Sequence, residues 1–496
     1  MVWANFLHFY QPYNQQDDIL DRIVHECYIP LLDGLLLRPK ARTLVNISGV
    51  LIELLESRGY SEVLIKFKKL YEMGCIELTG SAKFHAFLPL LPESEIIRQI
   101  KLNEDTLSRI FNCPRPAGFF SPEMSISDKV LEIVANLGYK WISAPDVAYS
   151  GTNLRTDKFY IDARTGVHVF FRNKRISALI LSGVCHSFED FKKETGDAFE
   201  DGGYWFTVMD AETFGHHRIG HEQFLFDLLD SGELETVTYT ELAEKFTQVE
   251  VVENLRPSTW TNEEQDFWLD KEKNKPTEAR SFILWKDPEN PIHKLQWEFV
   301  EYLLQLLSTY DNKNDAFWKA GRTMMDYAIS SDQFWWASAK PWWSLEMIES
   351  GAFTLKNVVN TLNKDDKESE RYYRQILSHA FEWQRTGYIR KKHLENSSTF
   401  MRQPFNERAP EEWYNQMILE FEDQMEKSAK AHDYEKAIKW RDAIYKLKLG
   451  TDIYDVLHVV DELWTARKIP SVKPFLQHKP GEFSPFVKKH FRGKLK

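Results

Sequence analysis

The stretch "YWFTVMDAETFGHHR", Tyr204 to Arg218, runs from an apolar segment straight into Asp210, Glu212, His216 and His217. A carboxylate buried without a partner is costly, so acids at such a place are either well paired or used in chemistry. Three other stretches repeat the pattern of an apolar run ending in reactive side chains. They are "NFLHFYQPY" with His8 and Gln11, "IELTGSAKFHAFLP" with His85, and "AGFFSPEM" with Glu123. Two carboxyls brought together from different strand ends suit a glycosidic bond. One protonates the leaving oxygen and the other faces the anomeric carbon. Pro122 restricts the backbone just before Glu123 and helps aim it.

Each residue also has a plainer reading. Glu123 taken alone fits a surface loop, and Asp210 taken alone fits a helix N-cap. Glu212 reads as a partner of Asp210 or as a paired loop acid. His216 and His217 read as donors to sugar hydroxyls or as satisfied core histidines. A rival constellation gathers His8, Asp210, His216 and His217 around a metal, although no HxxxH or HExxH helix supports it.

The elements that must position these side chains follow from periodicity. Strands are predicted at Val2–Leu7, Thr43–Ile47, Cys75–Leu78, Ala117–Phe120, Trp141–Ser143, Phe206–Met209 and Glu235–Tyr239. Helical patterns such as "SGVLIELLESRG" and "SDKVLEIVANLG" lie between most of them, the second ending at Gly138. Buried strands alternating with helices argue for parallel βαβ units, and seven of them for a closed or nearly closed barrel. All strands of such a barrel open onto one face at their C-terminal ends. His8, Gln11, His85, Glu123 and Asp210 are therefore expected to converge there. Beyond about residue 280, "HKLQWEFVEYLLQLLSTY", "NDAFWKAGRTMMDYAI" and "AFTLKNVVNTLN" read as amphipathic helices of a bundle.

Composition sets the outer bounds. A chain of 496 residues implies two or three domains, and 43% hydrophobic with 28% charged residues describes a globular protein. A net charge of −11 gives no support for nucleic acid as the ligand. Cys27, Cys75, Cys113 and Cys185 lack metal-like spacing and suit reduced thiols in a cytoplasm. Neither a signal peptide at the start nor a membrane-length apolar run is evident.

Together the four stretches resemble the ordered motifs of glycoside hydrolase family 57, which acts on α-glucans with retention. "LHFYQPY" is similar to its first motif, "ELTGSAKFHAFLPLLP" to its second, "GFFSPE" to its third and "MDAETFGHH" to its fourth. The resemblance covers about Met1 to Asn360. It implies Glu123 as nucleophile and Asp210 as general acid/base, on an incomplete (β/α)7 barrel followed by helices. Tyr10 stands where that family has His before Gln-Pro, and "FFS" replaces a Trp-Leu pair before Pro122. Both departures bear on sugar recognition more than on the chemistry. His8, Gln11, His85 and His217 are the expected substrate contacts from the barrel. Trp336, in the cluster "SDQFWWASAKPWW", is expected to stack on sugar faces or to pack the core.

A separate stretch, "MEKSAKAHDYEKAIKWRDAIYKLK" (425–448), resembles the UVR motif of excision-repair proteins, a helical hairpin for protein contact. A plain amphipathic hairpin is the alternative. The sequence thus divides into a barrel (1–270), a helical bundle (271–410), a hairpin (411–450) and a C-terminal extension with a basic tail (451–496). The expected activity is retaining, amylase-like cleavage of α-1,4 bonds in α-glucan or maltooligosaccharide, without a cofactor. Glucanotransferase or branching activity, a silent glucan-binding protein, and a metal-dependent deacetylase-like barrel are the alternatives. A protein partner or self-association is expected through the hairpin, with no nucleic acid and no membrane.

Overall fold

The computed structural model describes residues 1–181, 185–199, 202–218, 220–261, 281–339, 342–394 and 411–449. Ten strands form one curled sheet. They are β1 (Val2–Phe9), β2 (Thr43–Ile47), β3 (Ile76–Gly80), β4 (Gly118–Phe119), β5 (Trp141–Ala144), β6 (Phe159–Asp162), β7 (His168–Phe171), β8 (Tyr204–Asp210), β9 (Glu235–Thr236) and β10 (Val249–Val252). The path runs β10-β6-β7-β5-β4-β3-β2-β1-β8, with β9 beside β1. From β7 round to β8 every neighbouring pair is parallel, which gives seven barrel strands. The ring stays incomplete between β7 and β8, where the Asn173 N–H donates to the Phe206 carbonyl at 2.7 Å. Beyond β7, β6 turns back antiparallel and β10 joins it.

Two details correct the reading from sequence. The seventh barrel strand is β7, which was not expected, and the segment predicted at Glu235–Tyr239 pairs over only two residues. Thr238 ends it by capping the helix Tyr239–Lys245, with Glu241 closing a reciprocal capping box. The other six strands form where their apolar runs placed them.

Alternation along the strands separates core from site. On β1, Trp3, Leu7 and Phe9 point into the core under the helices, while Ala4 and Phe6 point into the barrel. Inside, Phe6, Trp141, Phe170 and Phe206 pack edge to face or tilted, with centroids 5.4–6.5 Å apart. Gly118 is required by this filling, since a Cβ there would lie 2.0 Å from Trp141 Cε2. The same period carries His8 of β1 and Asp210 of β8 to the top of the interior, where they are register partners.

The bundle holds the helices Pro291–Ser308, Ala316–Ala328, Leu345–Thr361 and Lys367–Thr386. It docks on the barrel through Phe87, which stacks on Trp285 at 4.5 Å. Arg98 grips Asp326 with two bonds, at 2.8 and 2.6 Å, and Arg322 ties Asp326 to Glu95. Further on, helices Glu411–Lys430 and Tyr434–Leu449 form a hairpin around Phe421 and Trp440. Asp433 caps the second helix through the Lys436 N–H at 3.2 Å. The proposed domain boundaries at 270/271, 410/411 and 450/451 fall in or at the edge of residues outside the description, as does the whole extension 451–496.

Candidate active site

Glu123 sits in a tight turn, Pro122–Met124, directly after β4. Its φ of 60° and ψ of 18° place a non-glycine residue in the left-handed region, a strain of about 1–2 kcal/mol. Neighbouring bonds hold it there. Ser125 donates to the Pro122 carbonyl from both N–H (3.1 Å) and Oγ (2.8 Å), and Trp260 N–H donates to the Glu123 carbonyl at 3.2 Å. The loop-acid reading fails, because the side chain is only 15% exposed. Trp260 Nε1 donates to Oε2 at 2.9 Å and Ser331 Oγ donates to Oε1 at 3.4 Å. Strain of this kind, fixed by surrounding contacts, is a hallmark of a positioned functional group.

Asp210 ends β8 and precedes the turn Ala211–Thr213 without capping it, so the N-cap reading also fails. Burial pushes the Asp210 carboxyl up to about 6, against the pull of the Arg172 charge. Burial likewise pushes Glu123 up to about 8, aided by the negative charges of Asp332 and Asp210 and resisted by the Trp260 and Ser331 donors. Two acids that feel one another titrate as a pair, so between these values the pair carries one proton.

His8 donates its Nδ1–H to Asn46 Oδ1 at 2.8 Å, while Asn46 Nδ2 donates to Thr79 Oγ1 at 3.3 Å. His85 has a φ of 55°, and its Nδ1 lies 2.9 Å from Ser331 Oγ and 3.9 Å from Glu123 Oε1. The two imidazoles stack at 5.4 Å, and burial lowers both to about 3, so both are neutral. Tyr10 stacks on His85 at 3.9 Å and donates its hydroxyl to Asp332. The position where His was expected thus serves the bundle's aspartate.

The site is completed from the helical region by Ser330, Ser331 and Asp332. An antiparallel bridge joins Ala86 to Ser330, and Ser331 N–H donates to the His85 carbonyl at 3.0 Å. Burial raises the Asp332 carboxyl even though Ser330 and Tyr10 both donate to it.

Glu212 accepts three bonds on Oε1, from Tyr28 Oη (2.5 Å), Gln11 Nε2 (3.2 Å) and Tyr10 N–H (3.3 Å). Burial still pushes it up to about 7. Gln11 is therefore engaged by Glu212. Gly215 lets the next turn press on the Val24–Tyr28 segment, where a Cβ would meet Glu26 O at 2.0 Å. That turn sets His216 Nδ1 on Glu26 at 2.7 Å and leaves His217 exposed, its ring 5.5 Å from that of His216. The rival metal set is thus not assembled: His8 is held by Asn46 and His216 by Glu26. Among the described residues no group of three or more His, Cys, Asp or Glu is arranged to hold a metal. Trp336 is half-buried beside Trp335 (4.8 Å) and Trp342 (6.1 Å).

Sequence reasoning did not find Trp260, Ser331 or Arg172. Arg172, directly after β7, carries the same signal as the other strand ends, an apolar run closed by a polar side chain. Trp260 and Ser331 lie in loop stretches with no such signal.

The sequence model of glycosyl hydrolase family 57 matches residues 3–254. A curated α-amylase of Pyrococcus horikoshii is 24% identical over 266 residues, 50% of this chain and 41% of its own length. An α-amylase 1 of Dictyoglomus thermophilum is 24% identical over 155 residues, 31% of this chain and 22% of its own. The matches span well under half of these relatives. Among solved structures, the fold is similar to an α-amylase of Thermotoga maritima, with a TM-score of 0.55 and 16% identity, covering 76% of this chain and 96% of that one. It is also similar to a 4-α-glucanotransferase of Thermococcus litoralis, with a TM-score of 0.56 and 16% identity, covering 72% and 59%.

Proposed function

Because the chain belongs to glycosyl hydrolase family 57, we propose that it cleaves α-1,4-glucosidic bonds of α-glucans with retention, through Glu123 and Asp210. The observation that carries this reading is the clamped, strained Glu123 within electrostatic reach of Asp210 at the barrel mouth. The α-amylase names of the sequence relatives support the substrate class.

In the first step a Glu123 oxygen bonds to the anomeric carbon as the bond from that carbon to the glycosidic oxygen breaks. The Asp210 proton goes to the departing oxygen. In the second step Asp210, now a carboxylate, takes a proton from water, whose oxygen bonds to the anomeric carbon and frees Glu123. A glucan hydroxyl in place of water gives transfer instead. His8 and His85 stay neutral and accept or donate to sugar hydroxyls at the mouth. Trp336 offers a ring face, Gln11 acts through Glu212, and His217 is the outermost proposed contact.

Incubation with maltoheptaose, with products separated by size, tests the proposal. Shorter products alone mean hydrolysis and longer ones mean transfer; unchanged substrate refutes the reading. The one-proton condition of the pair gives a second expectation. The pH profile of kcat/KM should be a bell with limbs near 6 and 8. Below the lower limb both acids are protonated and the nucleophile is lost. Above the upper limb no proton remains for the leaving oxygen. A profile flat from pH 5 to 9, on the order of the whole window, contradicts it.

The hairpin's order, with Asp433 as cap and Phe421 on Trp440, supports a UVR-like contact module for a protein partner or for self-association. Four buried thiols support a cytoplasmic, reducing setting, and no described helix is long and apolar enough to cross a membrane. Residues 1–270, 271–410, 411–450 and 451–496 are taken as barrel, bundle, hairpin and extension. Deleting 411–496 should leave turnover within about twofold, since every proposed catalytic group precedes residue 340. Size-exclusion chromatography of the same deletion should show the loss of any self-association. A folded deletion that no longer turns over substrate contradicts the division of roles.

A further inference from the structure

Arg172 is a buried cation at the barrel mouth that this mechanism has not used. It is 7% exposed and follows β7, whose end is pinned by the Arg172 N–H on the Ala144 carbonyl at 2.8 Å. Its Nε is buried without an acceptor, and its side chain makes no hydrogen bond among the described residues. A guanidinium buried in this way is expensive unless its charge is matched nearby. Two features match it. The guanidinium carbon lies 5.5 Å above the Trp260 ring, and its charge interacts with Asp210 and Asp146. Trp260 in turn is the residue whose Nε1 holds Glu123 Oε2 at 2.9 Å.

We propose that Arg172 is a positioning residue that couples the two acids. It offsets the charge of Asp210 and, by stacking on Trp260, holds the indole that clamps Glu123. The proposal rests on the reading of Glu123 and Asp210 as the reacting pair. The surroundings explain why one cation matters. Asp210 shares its part of the mouth with Glu123, Glu212 and the bundle's Asp332, all acids, and with the neutral His8. Arg172 is the cation that acts on Asp210 in this group. Without it the mouth would hold excess negative charge, and Asp210 would keep its proton to higher pH.

The test compares R172M and R172K with the wild type on maltoheptaose. R172M should lose about 100-fold in kcat/KM, in the range expected for removal of one preorganised charged group. The acidic limb of its pH profile should also move up by about one unit, and R172K should restore the limb but not the full rate. Guanidinium ion added to R172A should recover part of the lost turnover. A residue that only packs would lower the rate without moving the limb. An unshifted limb in R172M, with no guanidinium rescue in R172A, overturns the proposal. A substrate-independent reading separates it from the proposed function. The protonated-carboxyl infrared band that disappears in D210N should titrate at higher pH in R172M than in wild type. Wild-type inactivity on maltoheptaose with that shift present sinks the glucan reading and leaves the coupling standing. The absence of the shift sinks the coupling.

Discussion

Glu123→Ala should lower kcat on maltoheptaose by about 10⁴-fold or more, because the proposed covalent intermediate forms on Glu123. The variant still holds Asp210 at the end of β8, in register with His8, able to protonate a leaving group. The truncation leaves the donors Trp260 Nε1 and Ser331 Oγ, which now hold the Glu123 carboxylate, to receive a small anion. Azide attacking an activated α-glucoside from there makes one displacement, so the product is the inverted β-glucosyl azide. Proton NMR of the anomeric signal reads the outcome. Wild-type turnover by the variant, or an α-azide product, places the nucleophile elsewhere.

Asp210→Ala should fall about 10³-fold on maltoheptaose, within the usual range for loss of a general acid/base. An α-glucoside with a good leaving group needs little protonation, so its first step should be nearly unaffected. The glycosyl-enzyme then accumulates, since water lacks its base. Azide needs none and should release the retained α-glucosyl azide. If the two variants give the opposite stereochemistries, the roles of nucleophile and acid/base are exchanged. The proton bookkeeping makes this comparison informative, because the higher proton affinity lies on Glu123 in the free site. The productive arrangement, with Glu123 ionised and Asp210 protonated, is then a minor form of the singly protonated pair. Substrate binding has to draw on that minor form.

Much of this site was legible in sequence because the barrel imposes a simple rule. A strand with period-two alternation must end with an inward side chain at the mouth, and His8 and Asp210 obey it as continuations of Phe6 and Val208. Glu123 follows the same rule with a strained turn added, which Pro122 announces. Where the rule was missed, the signal was still present. "HVFFRN" is an apolar run closed by Arg172, the same pattern as at the other strand ends. "TYTE" at 238–241 holds a capping box, which should have ended the strand predicted through Tyr239.

Other parts were not legible, for a physical reason. Trp260, Ser331 and Asp332 reach Glu123 or Tyr10 from more than 130 residues away in sequence, through loops without periodicity. Their place depends on how the bundle docks on the barrel, through Phe87 on Trp285 and Arg98 on Asp326. No local pattern encodes such a docking. Gln11 shows the converse: its type and position suggested a sugar contact, yet its amide lies on Glu212.

The most direct measurement is to trap the intermediate with a 5-fluoro-α-glucosyl fluoride and map the labelled peptide by mass spectrometry. The added fluorine slows breakdown of the glycosyl-enzyme more than its formation when the leaving fluoride is good, so the covalent species persists. The expected result is one sugar per chain, on the peptide carrying Glu123, with no label in Glu123→Ala. A sugar carried by Asp210 or by any other residue, or no covalent adduct under conditions of turnover, contradicts the central claim that Glu123 is the nucleophile of a retaining double displacement.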